Sequence, residues 1–173
     1  MFRIPLFLFC LFLMPVLSQK PSSDEQELYD LIMEYRASKG LPKIALSPSL
    51  TMVAQLHSKD LSENRPDQGK CNGHSWSNKG EWTACCYTSD HAQASCMWDK
   101  PKELTSYQFP GYEISCVGGS PLSPENALET WKKSKHHNAV VINKGIWDTP
   151  WKAIGIGMYE GYATVWFGHQ AEN

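Results

Sequence analysis

The sequence carries little net charge and lacks several motifs that identify common functions. Its 173 residues have a formal net charge of −2, and its short basic cluster is not part of a basic face with interleaved aromatics. Nucleic acid is therefore not an expected partner. There is no Gly-x-Ser-x-Gly segment, so a serine hydrolase of that type is not expected. There is also no Asn-x-Ser/Thr triplet for N-glycosylation.

Long hydrophobic runs are scarce, and the one that occurs lies at the start of the chain. Residues 4–17 are uncharged and mostly apolar, follow Arg3, and end beside the small residue Ser18. This run is too short for an ordinary membrane-spanning helix and predicts a signal peptide over residues 1–18, with a membrane anchor as the alternative. The rest suffices for one secreted domain, which we expect over residues 24–168, without a stable membrane span.

Cysteines are few but clustered. Cys10 would leave with the signal peptide, and four of the other five cysteines fall within residues 71–96. In an oxidising compartment this clustering predicts two disulfides within residues 71–116 and one spare thiol, whereas in the cytosol it would suggest zinc. Cys85 and Cys86 should bond to different partners, because adjacent cysteines close a strained ring. The spacing does not identify the spare cysteine.

Hydrophobic spacing predicts three helices. Residues 24–39 and 50–63 each place apolar side chains at helical spacing, and His57 lies beside the apolar face of the second helix. Residues 121–135 predict a third helix, with Ser123 as its cap and a proline at its first position.

The rest of the chain predicts a loop region and a hairpin. Residues 64–111 show no sustained period and are rich in Gly, Asn, Ser, Cys and Trp, which favours a long, disulfide-held loop region. Residues 151–159 and 162–168 alternate around a tight turn and predict two strands. Gly155 and Gly157 lie within a strand, so they indicate close backbone approach or bending and not phosphate binding.

Two adjacent histidines, His136 and His137, follow the third helix. Adjacent residues on a helix face different directions, so at most one of them should point into a given cleft. Spacing alone favours a place at a helix C-terminus, where a ring donor or a cation meets free carbonyls. No chemistry is assigned to the more isolated His57, His91 and His169.

The order of these segments resembles the CAP superfamily of cysteine-rich secretory, antigen 5 and pathogenesis-related proteins, whose domain is also called SCP. The resemblance is carried in turn by "EYRASKGLPKIALSPSLTMVAQLHSKDL", "GHSWS", "PGYEIS", "ALETWKKSKHHNAVVIN" and "WKAIGIGMYEGYATVWFG". It spans about residues 24–168 and is closer to the short, bacterial-like pattern. It implies an α+β fold, a three-layer α-β-α sandwich, here with a long disulfide-stapled loop region.

The resemblance also implies a cleft. His74 of "GHSWS" matches the family's His-Ser element, and Ser134 and His137 match the spacing that leads to the second cleft histidine of the bacterial-like members. His137, and not its neighbour, is therefore the expected cleft residue. Glu113 of "GYEIS" most nearly matches the family's Gly-Glu-Asn element. The family's second acid falls near Ser134, so the full set of two histidines and two acids is incomplete.

Two imidazoles and one carboxylate have the chemistry of a divalent-cation site. Neutral imidazole nitrogen and carboxylate oxygen suit Zn²⁺, and three protein ligands leave a position open for water or a ligand. We therefore expect His74, His137 and Glu113 to hold Zn²⁺ or another divalent cation. The alternative is a hydrogen-bonded cluster of the same three residues that only fixes loops around the core.

Three functions are compatible with the resemblance. The preferred one is a secreted, non-enzymatic binding module for an extracellular protein or a lipid or sterol. The second is a metal-dependent hydrolase that uses Glu113, His74 and His137. The third is a toxin-like or defence-related extracellular effector with a vestigial cleft. Most of the seven tryptophans should pack in the core or in loops, and a few would line a groove for an apolar ligand.

Overall fold

The computed structural model describes residues 20–172, and the predicted signal peptide lies outside these residues. Within this range no helix is both long enough and apolar enough to cross a bilayer. The elements in chain order are α1 (Ser23–Ala37), β1 (Ala45–Leu46), α2 (Pro48–Asn64), α3 (Ala94–Trp98), α4 (Lys100–Leu104), β2 (Tyr112–Val117), α5 (Pro124–Lys133), α6 (Lys135–Val141), a 3₁₀ turn (Gly145–Trp147), β3 (Ala153–Tyr159) and β4 (Tyr162–Gly168).

The four strands form one sheet in the order β1-β3-β4-β2. The predicted hairpin is its centre: β3 and β4 pair antiparallel, with Ala153 opposite Gly168 and Tyr159 opposite Tyr162. β1 runs parallel to β3, and β2 pairs antiparallel with β4 at the other edge. The sequence reading missed β2, although its apolar residues alternate with polar ones.

Helices cover both faces of the sheet and make three layers. On one face α2 lies directly on β3, because Gly155 and Gly157 present bare backbone to the helix. On the other face α1, α5 and α6 bury apolar side chains against Ile154 and Ile156. The α+β class and the α-β-α sandwich that the family resemblance implied are confirmed.

The N-terminus of α2 is held by the side chains of Ser47, which precedes the helix, and Glu172, near the C-terminal end of the described residues. The Ser47 hydroxyl caps the helix by accepting a hydrogen bond from the Leu50 backbone N–H at 3.0 Å. The Glu172 carboxylate accepts another from the Ser49 N–H at 3.2 Å. These acceptors satisfy N–H groups that the first turn of a helix leaves free, and a negative charge is favourable there. The start of α2 is therefore held beside the C-terminal end of the described chain.

Two disulfides hold the long connection between α2 and β2. Cys71 bonds to Cys86 and Cys85 to Cys96, with Cα–Cα distances of 4.9 and 6.4 Å. The adjacent cysteines thus have different partners, as predicted, and Cys116 is the free cysteine of residues 20–172. The connection is more ordered than its lack of sequence period suggested, since it contains the short helices α3 and α4.

The two adjacent histidines do not lie at a helix C-terminus, as their spacing alone had suggested. Ser134 adopts an extended conformation (φ −86°, ψ 114°), ends α5 and caps α6. Its side chain accepts a hydrogen bond from the His137 backbone N–H, so His136 and His137 lie in the first turn of α6. The prediction of one helix through residue 135 was wrong because the serine serves as an N-cap inside the segment.

Candidate functional site

Glu113 is buried at the centre of the candidate site. The strand register places Glu113 opposite Trp166, which in turn lies opposite Gly155. Side chains in such a row share one face of a sheet, so Glu113 points toward α2, the helix that covers Gly155. Its side chain has no exposed surface, and its two oxygens accept hydrogen bonds from His57 and His74.

His57 reaches Glu113 from α2. It follows Leu50 by two helical turns, on the stripe of the helix that faces the sheet. Its Nδ1 atom lies against Oε1 of Glu113, and its Nε2 atom lies 2.9 Å from the carbonyl oxygen of Ser75. The ring stacks on Trp76 at 4.1 Å between centroids and an interplanar angle of 7°.

His74 reaches Glu113 from the disulfide-held loop. Its backbone N–H donates to the side-chain oxygen of Asn72 at 3.1 Å, and the Asn72 N–H donates to the carbonyl of Tyr87 at 2.8 Å. The Nδ1 atom of His74 lies 2.7 Å from Oε2 of Glu113. Because a carboxylate accepts, Nδ1 carries the proton in the neutral ring and Nε2 carries the lone pair.

The two imidazoles decide the ionisation of Glu113. Burial by itself would raise the pKa of Glu113, because it removes water from the charged form. The charges and hydrogen bonds of His57 and His74 outweigh burial, and the pKa of Glu113 lies below its ordinary value. The site therefore contains an ionised carboxylate between two rings at neutral pH.

His137 reaches the candidate site from α6 and lines both of its cavities with His74. Its ring is half buried, whereas the neighbouring His136 is exposed. Burial lowers the pKa of His137, the charges of His74 and His136 lower it further, and Glu113 partly opposes them. A lowered pKa keeps this imidazole neutral at neutral pH, in the form that binds metal ions.

Two cavities meet at His74 and His137. The larger, which we call the aromatic cavity, has a volume of about 530 Å³, and the smaller cavity about 330 Å³. Both are lined by Asn72, His74 and His137. Side chains that line the rest of the aromatic cavity include Met97, Trp98, Tyr112, Val140, Ile146 and Trp147. Those of the smaller cavity include Leu61, Asp67, Ser115, Cys116, Val117 and Tyr162.

The three residues expected from the sequence are brought together only in part. His74 contacts Glu113 directly, and His137 lines both cavities together with His74. In residues 20–172, no three His, Cys, Asp or Glu side chains are grouped closely enough to hold one ion. Both oxygens of Glu113 face imidazole nitrogens. Glu113 therefore contacts the Nδ1 side of His74 and has no oxygen free to bind an ion.

His57 is the site residue that the sequence reading missed. It was assigned no chemistry, yet it is fully buried and binds the same carboxylate as His74. One signal was available, because its spacing from Leu50 places it on the apolar face of α2. A buried histidine needs polar partners, but helical spacing does not say which strand or loop supplies them.

Comparison with known proteins agrees with this architecture. The family model described as "CAP: Cysteine-rich secretory protein family" matches residues 29–168. The chain therefore belongs to the CAP family, as the order of its motifs indicated. No curated protein matches the chain.

Three solved structures with the same fold are bacterial proteins. An extracellular protein containing a SCP domain from Bacillus anthracis is 20% identical, with a TM-score of 0.55. An outer surface protein from Borrelia burgdorferi is 19% identical, with a TM-score of 0.57, and a cysteine-rich secretory protein from Staphylococcus aureus is 17% identical, with a TM-score of 0.51.

These neighbours differ in how much of their length corresponds to this chain. The matches cover 83%, 87% and 88% of this chain, in the same order. They cover 39% of the Bacillus protein and 41% of the Staphylococcus protein, but 95% of the Borrelia protein. At these identities the likeness is one of fold.

Proposed function

We propose that the mature protein is a secreted binding module whose aromatic cavity holds an apolar part of its ligand, with a divalent cation such as Zn²⁺ bound beside it by His74 and His137. The observation that carries the proposal is the hydrogen bond from His74 Nδ1 to Glu113. It leaves the lone pair on Nε2, and His74 lines both cavities together with His137.

The donor chemistry fits a cation site with two protein ligands. Imidazole nitrogen suits Zn²⁺, and the lowered pKa of His137 keeps that ring neutral. A carboxylate that accepts the other ring proton of a ligating histidine orients it and raises its basicity. Glu113 would serve in this outer role. A cation held there would offer its other coordination positions to water or to polar groups of a ligand.

The aromatic cavity suits an apolar ligand. Its volume falls within the range of small-molecule sites, and such sites are mostly apolar with a few polar groups. Ile146 and Trp98 lie on its lining with exposed fractions of 88% and 43%. A lipid or sterol, or an apolar side chain of a partner protein, would cover this surface on binding.

An extracellular location is supported by three independent features. The N-terminal hydrophobic run has the pattern of a signal peptide. Two disulfides hold the loop that carries His74, and disulfides persist in oxidising compartments. The Bacillus and Borrelia neighbours are described as extracellular and outer surface proteins.

The metal-dependent hydrolase is less well supported by the same contacts. A general base must reach the water that it activates. Both oxygens of Glu113 already accept hydrogen bonds from imidazoles, and its side chain has no exposed surface. A binding role requires no free carboxylate in the cavity. The effector role with a vestigial cleft predicts no cation binding, so the test below separates it from the proposal.

Zinc titration by calorimetry at neutral pH tests the cation site. His74→Ala and His137→Ala should each abolish most of the signal, because each removes one of two ligands. His136→Ala is the matched control, since His136 is exposed and lines only the aromatic cavity, whereas the two proposed ligands line both cavities. Equal damage from His136→Ala, or no loss from either ligand variant, would contradict the proposed site.

A fluorescent sterol or fatty acid tests the aromatic cavity. Binding should weaken in Trp98→Ala, which removes a wall of the cavity. Phe109→Ala is the control, because Phe109 is similarly exposed, at 42%, and does not line either cavity. If wild-type protein binds neither the sterol nor the fatty acid but does bind zinc, the occupant of the aromatic cavity is an apolar side chain of a partner protein. If wild-type protein binds neither these probes nor zinc, the effector role is favoured.

A further inference from the structure

His57 lies behind the candidate site and touches neither cavity. His57 belongs to α2 and its ring is fully buried, whereas His74 and His137 line both cavities. A ligand in either cavity therefore does not contact it. Any effect of His57 on binding must be transmitted through the side chains that it touches.

The orientation of the His57 ring is determined by contacts on three sides. Nε2 lies 2.9 Å from the carbonyl oxygen of Ser75, Nδ1 lies against Glu113, and one face stacks on Trp76. The Ser75 carbonyl only accepts hydrogen bonds, so Nε2 carries a proton. A hydrogen bond between Nδ1 and the carboxylate requires a second proton between those two atoms. Oε1 of Glu113 is therefore committed to His57.

This commitment decides what the other oxygen of Glu113 does. A carboxylate is planar. A hydrogen bond that fixes Oε1 therefore stops the group from rotating and fixes the position of Oε2 as well. Oε2 lies 2.7 Å from Nδ1 of His74. With His57 absent, Oε1 would be a buried acceptor without a partner, which is costly, and the carboxylate would gain by turning toward another donor.

We propose that His57 is a positioning residue for the cleft: it holds Glu113 so that Oε2 accepts the Nδ1 proton of His74, and this leaves the Nε2 lone pair of His74 for a ligand. The consequence for cation affinity rests on the proposed function. The effect on the tautomer of His74 does not, because it exists in the protein without metal. His57, Glu113 and His74 come from a helix, an edge strand and a loop, so the hydrogen bonds themselves align these elements.

Ring ¹⁵N NMR of the metal-free mature protein measures the tautomer directly. At about pH 8, above the reference pKa of imidazole, wild-type His74 should be protonated at Nδ1. His57→Phe keeps an aromatic ring beside Trp76 but removes both donors, and His74 should then show a mixture of tautomers. Zinc affinity should fall by about 10- to 100-fold, the range found for lost partners of ligating histidines.

Two further variants separate positioning from general damage. His57→Asn keeps an N–H at the position of Nδ1 and should retain the His74 tautomer and most of the zinc affinity. Ser58 lies next to His57 in α2, and its hydroxyl donates a buried hydrogen bond of 2.8 Å to the carbonyl of Gly157. Ser58→Ala removes this bond and leaves the contacts of Glu113 in place. It should lower stability yet leave both readouts as in the wild type.

The outcomes distinguish this inference from the proposed function. A folded His57→Phe protein with the wild-type tautomer would overturn the positioning role, as would loss of the tautomer in folded His57→Asn if His57→Phe does not fold. If wild-type protein binds no zinc while His57→Phe changes the tautomer, the positioning role stands and the cation site is wrong. Equal loss of the tautomer in Ser58→Ala would reduce the effect to packing and also contradict the inference.

Discussion

Gly155 of β3 lies directly against Leu50 of α2: a Cβ atom on Gly155 would be 2.0 Å from the Leu50 carbonyl carbon. One helical turn further, a Cβ on Gly157 would be 2.2 Å from the carbonyl carbon of Ala54. The expectation that these glycines mark close backbone approach is confirmed. The contact matters for the site because His57 follows Ala54 on the same face of α2, where it reaches Glu113.

Substituting Gly155 by Ala should destabilise the fold, because the methyl group requires α2 to move away from the sheet. Overpacking of this kind costs about 1–3 kcal/mol, occasionally more, and urea unfolding of the oxidised protein would measure it. Gly119→Ala is the control, since a Cβ there meets no atom within 4 Å, and its effect should stay within about 0.5 kcal/mol. Similar midpoints for the two variants would contradict the packing argument.

Cys116 should be the one alkylatable thiol of the mature protein, and a slow one. Burial raises the pKa of the Cys116 thiol to about 12, and the thiolate is the reactive form. Iodoacetamide should therefore label little protein at about pH 8 in the native state and one thiol after unfolding without reductant. Five labelled thiols in secreted protein would show that the disulfides are absent, and rapid native labelling would show that Cys116 is accessible.

Removal of one disulfide, as in Cys85→Ser, should lower the free energy of unfolding by about 2–5 kcal/mol.

The stability of the metal-free protein should rise with pH in a window set by His137. Burial lowers the pKa of His137 in the folded state, while the unfolded chain protonates near the reference value of about 6.5. Between these two values the unfolded state binds more protons, so the free energy of unfolding increases as pH rises. The stabilisation from neutral His137 is lost as pH falls through its folded pKa.

His137→Gln should flatten this part of the profile, and His136→Gln should change it much less, because His136 is exposed and affects the pKa of His137 only through its charge. Urea unfolding in the presence of a chelator, at several pH values from about 5 to 7.5, gives the slopes. An unchanged slope in His137→Gln would mean that His137 does not carry this pH dependence.

Glu113→Gln should be strongly destabilising at neutral pH and less so in acid. Burial opposes ionisation of Glu113, but His57 and His74 hold its pKa below the ordinary value. The stabilisation is therefore present above the unfolded pKa of about 4.3 and is lost as pH falls through the folded value. Removing one member of a buried charged cluster typically costs about 3–5 kcal/mol.

The measurement is the difference in unfolding free energy between wild type and Glu113→Gln at about pH 7 and about pH 3. The difference should narrow at the lower pH, where the wild-type carboxylate is protonated in the unfolded chain. Thr164→Val is a suitable control, because it removes another buried polar group that bonds the Ala54 carbonyl at 3.0 Å but does not titrate. A gap that stays constant for Glu113→Gln would show that the charge of Glu113 contributes nothing.

Local patterns predicted most of the secondary structure because each signal is contained in a few neighbouring residues. The spacing of apolar residues predicted α1 and α2, and the alternation around residues 160–161 predicted the central hairpin. The cysteine positions predicted two bridges, with Cys85 and Cys86 bonded to different partners. The break at Ser134 was missed, since a serine in the extended conformation and one in a helix look alike in sequence.

The candidate site divides in the same way. The resemblance of short motifs, each a few neighbouring residues, predicted His74, Glu113 and His137 as the cleft residues. It did not reveal that His57 binds Glu113 across 56 residues of sequence separation. That contact depends on the register of β2 with β4 and on the close approach of α2 to bare glycine backbone, which are distances between elements and leave no period in the sequence. The sequence determined which titratable groups are available, and only the tertiary packing decided which of them share protons.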